Sequence, residues 1–256
     1  YPALVKYNKF NDFRGGGRFS GRLTATHVMG GAIARKLLKV ALNVETHSYT
    51  IKIGKISMKD GFNSKMKKDI YTNEVRCPDK KTAERMRKAI LDARKNGDTL
   101  GGVVESTTLN IPVGLGEPIF SSLESDISKA IYSIPSVKGV EFGSGFAGSE
   151  LLGSQNNDPY ISKGGAVLTK TNNAGGILGG LSNGMPIVMR VAFKPASSIA
   201  KKQSTIDIRT KKQVTLQVQG RHDPCVVPRA PPVVDSLVSL VLADHALIGG
   251  FIRPVL

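Results

Sequence analysis

The chain has no tryptophan, only two cysteines, and 20 acidic residues against 36 lysines and arginines. Each shortage excludes something. Two cysteines in 256 residues cannot build a disulfide scaffold, and they point to a reducing compartment. Without tryptophan, and with 6% aromatic residues, few rings are available for nucleobases to stack on. The acid deficit leaves a formal charge of +16, which suits an anionic partner: nucleic acid, a membrane face or a phosphorylated small molecule. The N-terminus shows no charged-then-apolar leader, and glycines and asparagines break the longest uncharged stretch, Thr171 to Met189. A soluble, cytoplasmic protein with no membrane partner is expected.

What is present reads as one globular domain, 40% hydrophobic, with no linker and no fixed-period repeat. Apolar residues at three- and four-residue steps predict helices over Gly21–Val40, Asp79–Lys95, Ile119–Tyr132 and Pro232–Ile248. Gly30 and Gly31, inside the first of these, are tolerated where another backbone packs close. Alternating patterns predict strands over Val44–Lys55 and Gly101–Asn110, with further candidates at Gly139–Phe142, Pro186–Phe193 and Val214–Gln219. Helices and strands mix without strict βαβ alternation, so an α+β layered fold is expected.

Four segments carry more Gly, Ser, Asn, Arg and Lys than a solvated loop needs. In Arg14 to Arg22, glycine amides, Ser20 and three arginines precede a helix, which is equipment for gripping a phosphate. Thr171 to Gly184 matches neither a dinucleotide fingerprint nor a P-loop, but its paired glycines let another segment approach the backbone closely. Lys194 to Ser198 follows a strand with a cation and two hydroxyls, and Gly220 to Cys225 places Arg221, His222 and Asp223 just ahead of the last helix. His27 and His245 read as packed or surface residues, and His47 as solvated. Cys77 and Cys225 lack partners for zinc, so no metal is expected. The lysine runs at 65–68, 201–202 and 211–212 read as solvated faces.

Jointly these segments resemble the chorismate synthase family. The resemblance rests on RGGGRFSGR (14–22), VRCPD (75–79), GLGEP (114–118), SIPSVKGVEFGSGF (133–146), GSQNND (153–158) and TNNAGGILGGLSNG (171–184), with KPASSI (194–199) and GRHDPCVVPRA (220–230). They occur in the family's order across nearly the whole chain. The resemblance implies a β-α-β sandwich of antiparallel sheets and long helices, usually assembled as a homotetramer. It also implies the last step of the shikimate pathway: an anti 1,4-elimination of phosphate from 5-enolpyruvylshikimate 3-phosphate. That reaction needs reduced FMN without net redox change, NADPH serving only to reduce the flavin.

Carried over by motif, the resemblance implies flavin contacts from Arg18, Phe19, Ser20, Pro135, Ser136 and Gly179, and from Lys194, Pro195, Ala196, Ser197, Ser198 and Arg221. It assigns Arg22 to the anionic substrate and Asp223 to a proton relay beside the flavin. The family usually has Ser where Phe19 stands and Glu where Leu23 stands, so only a backbone contact is expected at Phe19. Family members also carry GESHG-like and RPxHAD-like segments, each with a histidine acid, upstream of RGGGR. The opening YPALVKY resembles the residues that come directly after the RPxHAD-like segment, so the expectation is a single domain over 1–256 lacking the family's N-terminal segment. None of the four histidines here sits in a matching motif. The rival readings are a non-catalytic FMN-binding fragment and a basic nucleic-acid-binding module; only the RGGGR loop and a pI near 9.9 support the latter.

Overall fold

A computed structural model describes residues 1–12, 16–59, 61, 63–220 and 222–253. Strands β1 (Glu45–Ile53), β2 (Ile56–Ser57), β3 (Gly102–Leu109) and β4 (Val137–Phe142) are followed by two ribbons. These pair β5 (Tyr160–Lys163) with β6 (Ala166–Thr169), and β7 (Ile177–Leu178) with β8 (Leu181–Ser182). Then come β9 (Ile187–Phe193) and a third ribbon, β10 (Gln203–Ile206) with β11 (Gln213–Leu216). The helices are α1 (Pro2–Lys6), α2 (Thr24–Leu42), α3 (Lys80–Lys95), α4 (Leu123–Ile131), α5 (Gly153–Asn156) and α6 (Pro231–Ile248).

The main sheet is antiparallel throughout, in the order β2-β1-β3-β9-β4. Alternation along β9 sends Ile187, Met189, Val191 and Phe193 into a core shared with Leu38 of α2 and Val234 and Leu242 of α6. The expected class, α+β with antiparallel sheets and long helices, is what the chain forms. α6 is long and apolar enough to cross a membrane, but 67% of it is buried, packed against α2, α4 and the sheet. Its apolar character therefore belongs to the core.

On the opposite sheet face the register aligns Tyr49, Glu105, Arg190 and Glu141 across four strands. Arg190 donates to Glu141 at 2.5 Å and lies 3.7 Å from Glu105, which accepts the Tyr49 hydroxyl. Burial first, then the Glu105 charge, raises the Tyr49 phenol above its ordinary range, so it stays a neutral donor.

Three expectations need correction. The first long helix begins at Thr24 because Ser20 opens a separate 3-10 turn over Gly21–Leu23. The helix expected from Ile119 begins at Leu123, capped by the Ser122 hydroxyl, after a 3-10 turn over Ile119–Ser121 in which Ile119 is left-handed at φ 62°. His47 is buried rather than solvated, with Nε2 3.0 Å from Glu45, and burial lowers its pKa.

Candidate functional site

Both long helices begin at one cavity of about 690 Å³. Thr24 and Ala25 open α2 on one side, and Pro232 and Val233 open α6 on the other. Both helices turn the positive ends of their dipoles towards the cavity, although α6 opens on Pro231 and Pro232, which have no N–H, and its Val233 and Val234 amides both donate to the Ala230 carbonyl at 2.9 Å. The lead-in to α2 is fixed locally. Ser20 Oγ accepts the Arg22 N–H at 3.2 Å, and the Thr24 hydroxyl donates to the Gly21 carbonyl at 2.7 Å. That turn sets Ser20, Gly21 and Arg22 on the cavity wall.

The third side is the loop after α4. Ile134, Pro135 and Ser136 line the cavity, with Ser136 in the left-handed region at φ 75°. Its carbonyl accepts the Lys194 N–H at 2.9 Å, tying this loop to the end of β9. Val28, Ile134, Phe193 and Val233 make an apolar wall, while Arg22 and Arg229 supply cationic donors. A flat apolar ring bearing phosphate or carboxylate groups fits both the volume and the donor set.

A second cavity, of about 590 Å³, adjoins the first and shares Asp223 and Arg229 with it. Arg94, His222 and Ser198 also line it. Arg229 grips the Asp223 carboxylate with both ends of its guanidinium, at 3.0 and 3.1 Å. The segment 194–198 runs from the first cavity towards the second, held where the Thr99 hydroxyl donates to the Ala196 carbonyl at 2.7 Å.

Of the residues singled out in sequence, Ser20, Arg22, Pro135, Ser136 and Asp223 therefore meet at the first cavity, and Ser198 lies at the second. Lys194, Pro195 and Ser197 are exposed and Ala196 half-buried along the connecting segment. Arg18 and Phe19 are exposed and line neither cavity. Gly179 stands apart, on the β7–β8 turn beside the start of α4, whereas the first cavity lies beyond that helix's far end. Nine residues of α4 separate the two positions, about 13 Å of helix. Arg221 and Arg14 lie outside the described residues.

Sequence reasoning missed Arg229 as a site residue. The signal was there: it is the lone charge in the run Cys225 to Val234. The glycine-rich stretch does what its spacing implies, since Gly143 abuts Asn173 and Gly175, Gly176 abuts Pro186, and Gly180 abuts Glu117. Among the described residues, no group of three or more His, Cys, Asp or Glu is placed to hold a metal ion, and both cysteines are free and buried.

The chorismate synthase family profile matches residues 1–247. A chorismate synthase of Dehalococcoides mccartyi is 49% identical over 256 residues, covering 100% of this chain and 70% of its own length. One from Korarchaeum cryptofilum is 50% identical over 248 residues, covering 96% of this chain and 68% of its own. A solved structure described as a crystal structure of chorismate synthase superposes with a TM-score of 0.77 at 31% identity, over 95% of this chain and 68% of that one. With its fold, its motifs and these relatives in agreement, the chain belongs to the chorismate synthase family.

Proposed function

We propose that the 690 Å³ cavity, with the smaller one beside it, is where this chain handles reduced FMN and 5-enolpyruvylshikimate 3-phosphate. Family membership makes the chain a carbon–oxygen lyase of the last step of the shikimate pathway, in a family that uses a reduced flavin. The observation that carries the site assignment is the meeting of two helix N-termini with Arg22, Arg229 and Asp223 around an apolar-walled hollow.

The reduced flavin, when bound, supplies electron density that eases loss of phosphate with no net redox change. The chain's own residues do the rest. Arg22 and Arg229 neutralise phosphate and carboxylate groups, and forked donors favour the charge that grows on a departing phosphate. The dipoles of α2 and α6 add fixed positive potential without reorganising. Val28, Ile134, Phe193 and Val233 exclude water from one side and give a flat ring a surface to lie on. Among the described residues Asp223 is the one carboxylate on the wall and the group there able to accept a proton.

Within this reading Ser20, Pro135 and Ser136 face the cofactor, and Arg18, Phe19, Gly179, Lys194 to Ser198 and Arg221 complete its site. Gly179, a helix length away, then reaches a flavin on a neighbouring subunit of a homotetramer. Exposed Phe120, Phe146 and Leu152 offer the apolar area such an assembly needs. The chain works in the cytoplasm, and its residues 1–256 belong to a single domain.

A fluorescence titration of FMN against the purified chain, with and without the substrate, tests this. Quenching that saturates, and tightens when substrate is present, is expected. Flavin that stays free at every concentration overturns the reading. Salt-sensitive oligonucleotide binding with no flavin effect would favour a nucleic-acid module instead.

A further inference from the structure

Arg229 has a rigid base and an exposed head. Its 3-10 turn, Val227–Arg229, is held where Arg76 Nε donates to the Pro228 carbonyl at 2.7 Å. Arg76 itself is pinned, its guanidinium 4.6 Å from the Tyr71 ring and its backbone left-handed at φ 56°. The Arg229 side chain, by contrast, is 76% exposed, and the Asp223 side chain it grips is 49% exposed. Together they form the partition between the two cavities.

An ion pair this exposed contributes little, because water and salt screen it. A phosphate arriving beside it offers the same forked geometry with more charge and more acceptors. Exchange of Asp223 for such an anion therefore runs downhill for Arg229. It also strips Asp223 of the guanidinium that holds it and opens the wall between the cavities.

We propose that Arg229 is an anion-binding positioning residue that releases Asp223 when a phosphate- or carboxylate-bearing ligand enters, so that occupancy of the site frees the Asp223 carboxylate. The inference rests on reading these cavities as the ligand site, and it assigns Asp223 a second role, as the internal competitor for Arg229.

The test uses the whole chain, with inorganic phosphate followed by calorimetry and FMN by fluorescence at fixed ionic strength. The variants are Arg229→Gln, Arg229→Lys, Asp223→Asn and the double variant Arg229→Gln/Asp223→Asn, each checked by circular dichroism. Arg229→Gln is expected to weaken phosphate about tenfold. Arg229→Lys restores little of that, because an ammonium cannot fork. Asp223→Asn is expected to tighten phosphate by about two- to fivefold, a gain that vanishes when Arg229 is also replaced. A merely structural pair gives the other sign, with Asp223→Asn neutral or weakening. That result overturns the proposal, as does a wild-type chain that ignores phosphate. Phosphate responding as expected while FMN fails to bind leaves the Arg229 role standing and removes the flavin reading. FMN binding with all variants alike does the reverse.

Discussion

Gly31 of α2 lies so close to Ser236 of α6 that a Cβ on Gly31 would sit 2.1 Å from the Ser236 Cβ and 2.4 Å from its Cα. The nearest atoms are backbone or next to it, so a methyl group there can be accommodated only by moving a helix. Gly30, one residue earlier, has room: its Cβ would meet Leu240 at 3.7 Å, an ordinary contact. The neighbouring glycines therefore respond with opposite signs. Gly31→Ala is expected to cost about 3 kcal/mol through overpacking and to weaken ligand binding at the cavity where both helices begin. Gly30→Ala is expected to gain up to about 1 kcal/mol from helix propensity. Chemical denaturation of the two variants, side by side, checks this. Equal effects would show that the helices do not meet as described.

Glu45 accepts from Lys39 at 2.5 Å, from Lys67, and from His47 at 3.0 Å. The lysine bonds lower its pKa from 4.5 to about 2. The folded state thus holds the carboxylate ionised where the unfolded chain takes up a proton. Its contribution is complete above about pH 4.5 and is lost as pH falls towards 2. Glu45→Gln is expected to cost stability at neutral pH and to flatten the acid side of the profile, so that variant and wild type converge as pH falls towards 2. Unfolding midpoints measured between pH 2 and 6 read this out.

Asp235 behaves in the opposite sense. It is 2% exposed on α6, and burial raises its pKa to about 7 against the pull of the Ser48 hydroxyl and of Arg35. Here the folded state keeps a proton that the unfolded chain has released, so stability falls as pH rises from about 4 to about 7 and then levels. The slope is at most about 1.4 kcal/mol per pH unit. Asp235→Asn is expected to remove that decline, so the variant gains on the wild type at pH 8 relative to pH 5. A variant whose pH profile matches the wild type between those values would show that the buried carboxyl stays ionised.

Much of the fold was legible because its main elements bury one periodic face. α3 shows this plainly: Ala83 and Met86 point inward, Asp79 caps the start, and Asn96-Gly97 ends the helix. The ribbons were harder to read. Strand β5 is exposed along its whole length, and its Tyr-Ile-Ser-Lys order shows no alternation of apolar and polar residues, whereas the alternating Gln-Val-Thr-Leu of β11 falls at the candidate Val214–Gln219. β7 and β8 are two residues each, too short for any period. In β1 the residues from Thr46 to Thr50 are all buried, and that hid the burial of His47. The site was legible as motifs but not as a shape. Ser20 and Ser136 are 116 positions apart, and only α4, β9 and the two long helices bring their loops to one wall. Pairing of Arg229 with Asp223 depends on a turn between two prolines, Pro224 and Pro228, that no periodicity encodes.

Ile119 offers the last test, because its backbone and side chain disagree. A β-branched residue is held left-handed at φ 62° while its side chain is 77% exposed, so little packing offsets the clash. Left-handed backbone costs an L-residue roughly 1–2 kcal/mol, and glycine escapes it, less roughly 0.5–1 kcal/mol for its freer unfolded chain. Ile119→Gly is therefore expected to raise stability slightly, by about 0.5–1 kcal/mol, or a few degrees at most in Tm. Asn, which tolerates this region and keeps a Cβ, is expected to gain as much or more. Differential scanning calorimetry of both variants at low and high protein concentration decides the matter. Gains at both concentrations confirm backbone strain. Losses confined to high concentration would mean that Ile119, beside the exposed Phe120, packs against another copy of the chain.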